Sequence, residues 1–167
     1  MLSIPSEKGT YAIYIHLPRS KTITIGKLGR FNFPIGAYVY IGSAFGSGGV
    51  RSRLKRHIYG STSNHWHIDF LRRNAQVRAF SYLINNKNYE CQWVQTLSDL
   101  SSSYFPVPGF GSSDCNECHA HLLALTHSDV SECLTMHNER LLETIRDSLI
   151  KISISPPKWI NCSQIPS

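Results

Sequence analysis

Residues 38–57 contain side chains whose types and spacing suit phosphate chemistry. They read Tyr-Val-Tyr-Ile-Gly-Ser-Ala-Phe-Gly-Ser-Gly-Gly-Val-Arg-Ser-Arg-Leu-Lys-Arg-His, which predicts a buried strand, a glycine-rich loop and a basic helix. Arg53 and His57 are one helical turn apart, so both lie on one face. A guanidinium binds phosphate oxygens in a bidentate way, and an imidazole exchanges a proton near neutral pH. Taken alone, the pair favours a basic helix that contacts backbone phosphates without catalysis.

Tyr11, Tyr38 and Tyr40 are candidate site residues in the β-rich first part of the chain. Tyr11 and Tyr38 are each expected to be structural. Tyr40 stands just before Gly42, where the strand opens into the loop, and a phenol at the end of a strand can meet a ligand. Each tyrosine taken singly still favours a structural role.

Glu90 is a candidate metal ligand outside this segment. Asn88 can cap a helix over residues 88–100 whose inner face carries Trp93 and Val94. Glu90 therefore lies at the edge of a buried face, where a carboxylate is costly unless it is paired or bound to a metal. Mg²⁺ takes such oxygen ligands and keeps several waters. The residue alone favours a simpler role, complementing the helix dipole.

A short cysteine and histidine cluster has zinc-ligand residue types. Cys115 and Cys118 are followed by His121 at close spacing, but a structural zinc needs a fourth ligand. The sequence favours buried thiols over zinc. The residues that might complete the site are His119, His127, Cys91 and Cys133.

The charge is distributed unevenly along the chain. Residues 1–113 carry thirteen Lys or Arg and four acids, whereas residues 114–167 carry four basic and seven acidic residues. A basic first part favours a nucleic-acid partner. The side chains expected to contact nucleic acid are Lys27, Arg30, Ser43, Arg51, Lys55 and Arg56.

The odd number of cysteines and the lack of an apolar signal core favour a cytoplasmic protein. With 167 residues, one domain with a substantial core is expected. No apolar run is long enough to span a membrane.

The chain predicts an α+β fold, a small antiparallel sheet flanked by helices. Strands are expected over residues 9–17 and 37–43, with an extra hairpin between them over residues 19–34. A further strand is expected over residues 77–84, and helices over 50–59, 65–73, 88–100 and 128–150. Residues 101–113 are expected to form a loop, 121–126 a helix or a strand, and 156–167 a tail. The last helix can cap the core or form a homodimer.

The order of these residues resembles the GIY-YIG nuclease family. Residues 9–11, Gly-Thr-Tyr, match the first half-motif except at Thr10, and residues 40–42, Tyr-Ile-Gly, match the second. Arg53 and His57 match the family's helical arginine and histidine, and Glu90 matches its metal-binding glutamate. The chain further resembles an uncharacterised branch sometimes attached to endonuclease III-type DNA-repair glycosylases. The marks of that branch are Gly-Ser-Ala at 42–44, His-Trp-His-Ile-Asp at 65–69, Glu-Cys at 90–91 and Gly-Ser-Ser-Asp-Cys at 111–115.

The resemblance implies an endonuclease that hydrolyses phosphodiester bonds in DNA, in repair, processing or restriction. It implies one Mg²⁺ or Mn²⁺ on Glu90, with Tyr40 as general base or water-positioning group, assisted by Tyr11. It also implies that Arg53 stabilises the transition state and that His57 orients Tyr40 or the water.

His65 matches a further polar active-site position in some relatives, whereas residues 67–69 can equally be a helix start with solvated side chains. The nuclease domain would cover residues 1–127, with a helical extension over 128–155 packed on it. Two alternatives stay open: a nucleic-acid-binding module that cleaves poorly or not at all, which the departure at Thr10 allows, and a zinc-stabilised interaction domain.

Overall fold

A six-stranded sheet, with every neighbouring pair of strands antiparallel, forms the centre of the fold. From one edge to the other, its strands are Ser103–Tyr104, Leu122–Leu125, Gly36–Ser43, Gly9–Leu17, Gln76–Ile84 and Lys158–Asn161. The computed structural model describes residues 4–60, 63–100, 103–113, 115–125, 143, 145–150 and 157–161. The strands are β1 (Gly9–Leu17), β2 (Lys21–Ile25), β3 (Gly29–Phe33), β4 (Gly36–Ser43), β5 (Gln76–Ile84), β6 (Ser103–Tyr104), β7 (Leu122–Leu125) and β8 (Lys158–Asn161). The helices are α1 (Gly49–Tyr59), α2 (His67–Arg72) and α3 (Glu90–Ser98). The predicted α+β class is confirmed.

Strand β1 lies inside the sheet and is buried along its whole length. Because side chains alternate across a strand, Tyr11 and Ile13 enter one core cluster while Ala12 and Tyr14 enter the other. Helices α1 and α2 cover the first face, and α3 covers the second. Helices on both faces explain why β1 is apolar on both sides.

The predicted hairpin between the half-motifs is confirmed as a separate two-stranded sheet of β2 and β3. One 3-10 turn, Gly26–Leu28, joins the strands. Ile23, Ile25 and Phe33 are buried in the same core cluster as Ile68 of α2. The hairpin therefore widens the core on the α2 side of the sheet.

Helix α2 begins at a carboxylate cap. The Oδ2 of Asp69 accepts hydrogen bonds from the backbone N–H groups of His65 (2.9 Å) and Trp66 (3.0 Å), and pairs with Arg56 at 2.7 Å. These contacts satisfy N–H groups that the start of a helix leaves without intrahelical partners. The interpretation of residues 67–69 as a helix start therefore has direct structural support, but the side chain of Asp69 is buried rather than solvated.

We expect Asp69→Asn to lower the free energy of unfolding at neutral pH by about 1–3 kcal/mol. Burial acts to raise the pKa of Asp69, but the Arg56 ion pair and the two backbone hydrogen bonds outweigh it, so the pKa is lowered. A lowered folded-state pKa stabilises the fold above the unfolded value of about 3.9, and this stabilisation is lost as the pH falls through the folded value. Urea unfolding from pH 7 to pH 2 should therefore show the difference from wild type shrinking in acid. The exposed Asp99→Asn should match wild type throughout, and a pH-independent difference for Asp69→Asn would contradict this account.

Two short strands lie where the sequence predicts no regular structure. The expected loop over residues 101–113 contains β6, which pairs with β7. The expected tail contains β8, which pairs with β5 and places Trp159 4.5 Å from Tyr14, ring centroid to centroid. The prediction of a tail is wrong for these residues, because a four-residue strand beside two prolines carries little periodicity yet still covers a sheet edge. Within the apolar run over residues 121–126, Leu122–Leu125 form the strand β7.

The predicted long C-terminal helix falls mostly outside the described residues. Residues 143 and 145–150 are helical, and Ile145 and Leu149 are buried in the cluster that covers the α3 face of the sheet. In this part, the helix caps the core. Within the ranges that the structure describes, no helix combines the length and apolar character needed to cross a membrane.

Candidate functional site

A cleft of about 830 Å³ brings together most of the predicted catalytic residues. Its walls include Tyr11 of β1, Tyr40 and Ser43 of β4, Arg53 of α1 and Glu90 of α3. The antiparallel register of β1 and β4 brings Tyr11 and Tyr40 into this cleft, because it pairs Tyr11 with Gly42 and places the two half-motifs side by side. Further wall residues are Trp66, Lys87, Asn88, Cys91, Gly111, Cys115, Asn116, Glu117 and His121.

Gly42 makes room for the Tyr11 side chain. A Cβ at this position would lie 2.5 Å from the Cζ and Oη atoms of Tyr11, far inside van der Waals contact. Gly111 serves Tyr40 in the same way: its Cβ would lie 2.8 Å from Cε2 of that ring, and its φ of 76° also favours glycine. The two phenols therefore occupy space that these glycines leave free.

His57 lies behind the cleft as a neutral imidazole. It is fully buried, and its Nε2 lies 2.9 Å from the phenol oxygen of Tyr11. Burial lowers the pKa of His57 to about 3. Among the described residues, its Nδ1 has no hydrogen-bond partner. His57 therefore contacts Tyr11 directly, and its ring centroid lies 6.1 Å from that of Tyr40.

Tyr11 and Tyr40 are phenols rather than phenolates at neutral pH. Burial raises the pKa of both side chains above the ordinary tyrosine value. The nearby Arg53 guanidinium acts in the opposite direction on both but does not outweigh burial. Tyr40 can therefore donate a hydrogen bond into the cleft, and Tyr11 can do so in the His57 tautomer whose Nε2–H donates to the Tyr11 oxygen.

Arg53 is positioned by an aromatic ring. Its guanidinium carbon lies 4.4 Å from the ring centroid of Trp66, and the guanidinium of Arg56 lies 4.3 Å from the same ring. Arg56 also pairs with Asp69, so this predicted nucleic-acid contact already has a partner inside the protein. Arg53 is the arginine that lines the cleft.

The other predicted residues lie outside the cleft walls. The side chain of His65 is exposed, and its ring lies 5.8 Å from that of Trp66. Lys27 and Arg30 are exposed at the β2–β3 hairpin, and Lys55 is exposed on α1. Arg51 donates from Nε to the Ile4 carbonyl at 2.6 Å.

Glu90 is an ionised carboxylate at the first residue of α3. Burial acts to raise its pKa, but contacts with His121 and Asn88 outweigh this effect and lower it. Its Oε1 lies 3.2 Å from the Nδ1 of His121, and Asn88 donates from Nδ2 to its Oε2 at 3.1 Å. The His121 contact is at ion-pair distance, although neither ring nitrogen meets the directional criteria of a hydrogen bond.

Thr10 fixes the start of α3. Its buried hydroxyl oxygen accepts a hydrogen bond from the backbone N–H of Tyr89 at 3.0 Å. Asn88 accepts from the Glu90 backbone N–H at 2.9 Å, but the structure places Tyr89, not the predicted Asn88, at the N-cap of α3. The one departure in the first half-motif therefore holds the residue next to Glu90, a role that only the fold reveals.

Cys91, Cys115, Cys118 and His121 form a second cluster beside Glu90. One potential ligand atom from each residue lies within 4.8 Å of the others, so these residues could hold a metal ion. The structure also joins Cys91 and Cys118 as a disulfide, with their Cα atoms 5.7 Å apart. Cys91, one of four candidates for the fourth ligand, is the one that α3 brings to the cluster.

Several wall residues were missed by sequence reasoning. Lys87 and Asn116 carry no motif, and Asn88 was read only as a cap. The sequence feature that identifies these wall residues is their position in the chain. Residues 87–88 directly precede α3, and residues 116–117 lie between the cysteines of the cluster.

The fold and site define a small α+β domain with a polar cleft between a sheet and a helix N-terminus. The chain belongs to the family described as the domain of unknown function DUF123, whose model matches residues 10–143. No curated protein and no solved structure matches the chain.

Proposed function

We propose that this protein is a metal-dependent endonuclease of the GIY-YIG type that hydrolyses phosphodiester bonds in DNA. One observation carries the proposal. Tyr11, Tyr40, Arg53 and Glu90 are distant in sequence but line one cleft, with His57 against Tyr11. Two phenols, a guanidinium and an ionised carboxylate in one cleft are the groups that phosphodiester hydrolysis needs.

The donor set in the cleft fits one hard divalent cation. Glu90 supplies an ionised carboxylate, and Ser43 and Asn88 add neutral oxygen atoms to the same walls. Mg²⁺ is commonly held by one or two carboxylates together with waters and substrate phosphate. When bound, Mg²⁺ or Mn²⁺ would supply Lewis-acid stabilisation of the phosphate and of the leaving oxygen.

The other side chains of the cleft bind the phosphate, stabilise its charge and orient the reacting groups. Arg53 binds the phosphate oxygens and stabilises the charge that develops on them. The raised pKa values of Tyr11 and Tyr40 favour holding and orienting water or phosphate over acting as a base in the free protein. His57 orients the Tyr11 hydroxyl through the 2.9 Å contact.

DNA would approach along basic side chains on the surface. Lys27, Arg30 and Lys55 are exposed, and Lys87 lines the cleft. Such residues contact backbone phosphates, so binding should weaken as salt rises.

End-labelled single- and double-stranded DNA incubated with Mg²⁺, Mn²⁺ or EDTA tests the proposal. We expect metal-dependent products that are absent with EDTA. DNA binding without cleavage under every metal condition would instead favour the non-catalytic module.

A further inference from the structure

We propose that Cys91, Cys115, Cys118 and His121 together bind one structural Zn²⁺, and that His121 connects this ion to Glu90. The site is separate from the proposed Mg²⁺ or Mn²⁺ position and does not depend on cleavage. It ties the first turn of α3 to the segment over residues 115–121.

The cluster has the size of a tetrahedral zinc site. Zinc–sulfur and zinc–nitrogen bonds of about 2.3 and 2.0 Å place neighbouring ligand atoms about 3.5–3.8 Å apart. All four ligand atoms lie within 4.8 Å of one another, and the sulfurs of Cys91 and Cys115 are 3.2 Å apart. Small side-chain rotations therefore suffice to place the four around one ion.

His121 is buried and aimed at the cluster without a directed partner. It is 2% exposed, and neither ring nitrogen has a hydrogen bond of good geometry within the described structure. Leaving a buried polar atom unpaired is costly, and a metal bond would remove this cost. The backbone of His121 is held at both ends, because its N–H donates to Phe110 and its carbonyl accepts from Ile41.

The contact between Glu90 and His121 resembles the one that a zinc-binding histidine makes to a carboxylate. Metal-binding histidines usually donate the other ring N–H to a carboxylate. Because the Nδ1 of His121 lies 3.2 Å from Glu90, the Nε2 is the nitrogen left for the ion. Zinc would thereby hold both His121 and the carboxylate in the cleft wall.

Zinc accounts for all four residues, whereas a disulfide accounts for two. A bond between Cys91 and Cys118 leaves out Cys115 and His121, which lie in the same cluster. Zinc binding requires the reduced form, in which three thiols release their protons as three zinc–sulfur bonds form. Four protein ligands leave no open position, so the site is structural.

Metal analysis of the purified full-length protein tests the assignment. We expect about one zinc per chain, consistent with a closed four-ligand site. Cys115→Ser and Cys118→Ser should lose most of it, whereas Cys133→Ser and Cys162→Ser, outside the described residues, should keep it. Wild-type levels of zinc in both cluster variants would overturn the site.

Cobalt binding to the reduced wild-type chain gives a readout that does not depend on how the variants fold. Co²⁺ should produce the visible bands of a tetrahedral thiolate site, and added Zn²⁺ should abolish them. A reduced chain that binds neither ion would overturn the proposal. So would a Cys91–Cys118 disulfide, found by peptide mass spectrometry in zinc-free protein isolated without reductant. No cleavage is measured, so failure here stays separate from failure of the nuclease proposal.

Discussion

Glu90→Gln is expected to lower the rate of DNA cleavage by about 100- to 1000-fold. The substitution removes the charge that would hold the divalent ion. It keeps the size of the side chain and an oxygen that can accept a hydrogen bond from the Nδ1 of His121, 3.2 Å from the present carboxylate. Loss of the charge that pairs with His121 should also lower the thermal unfolding midpoint, so the cleavage rate is measured well below it. Single-turnover cleavage of labelled DNA at saturating protein measures the effect.

Glu7→Gln is the matched control, because its side chain is exposed and lies outside the cleft walls. It should cleave at the wild-type rate. If Glu90→Gln also cleaves at that rate, Glu90 holds no catalytic ion. Higher Mg²⁺ should restore part of the lost rate if the defect lies in metal affinity.

Arg53→Ala is expected to lower the same rate by about 100- to 1000-fold, because the guanidinium stabilises charge on the phosphate in the transition state. Arg53→Lys keeps the positive charge but loses the planar fork and the stacking on Trp66, 4.4 Å away. It should recover only part of the rate. Measuring DNA affinity beside the single-turnover rate separates the two roles of the residue.

Arg78→Lys is the control for Arg53→Lys, because Arg78 is exposed on β5 and lies outside the cleft walls. This variant should match wild type in both rate and affinity. An Arg53→Ala variant that binds DNA more weakly but cleaves at the wild-type rate at saturation would contradict a transition-state role. Arg53 would then contribute to binding alone.

The paired outcomes also separate the competing functions. Loss of cleavage in both site variants, with both controls unchanged, supports a nuclease. DNA binding without cleavage in wild type supports the binding module, whose affinity should still fall with Arg53→Ala and with added salt. Zinc content should remain the same in Arg53→Ala, because this residue is not part of the cysteine cluster.

Much of the fold could be predicted because its signals are local. Alternating apolar residues and turn signals locate β1, the β2–β3 hairpin and β4, and the spacing of Val50 and Leu54 locates α1. Strand β8 could not be predicted, because its support comes from β5 and from the contact of Trp159 with Tyr14, not from its own short sequence.

The candidate site could be predicted as a set of residues but not as an arrangement. The family resemblance, which rests on the order of the residues in the sequence, predicted Tyr11, Tyr40, Arg53, His57 and Glu90. It did not show that His57 is buried and neutral against Tyr11, or that His65 lies outside the cleft walls while Asp69 caps α2. Solvent exclusion and ion pairing decide these properties, and both depend on segments that are distant in the chain.

The sequence by itself determined the residue types, the local elements and the half-motifs of this protein. Only the tertiary structure decided that Cys91 joins Cys115, Cys118 and His121, and that Thr10 holds the start of α3 beside Glu90. The physical reason is the distance along the chain over which each kind of interaction acts. Periodicity and capping act over a few residues, whereas packing of α3 on the sheet brings together groups separated by many residues, through contacts that no local pattern records.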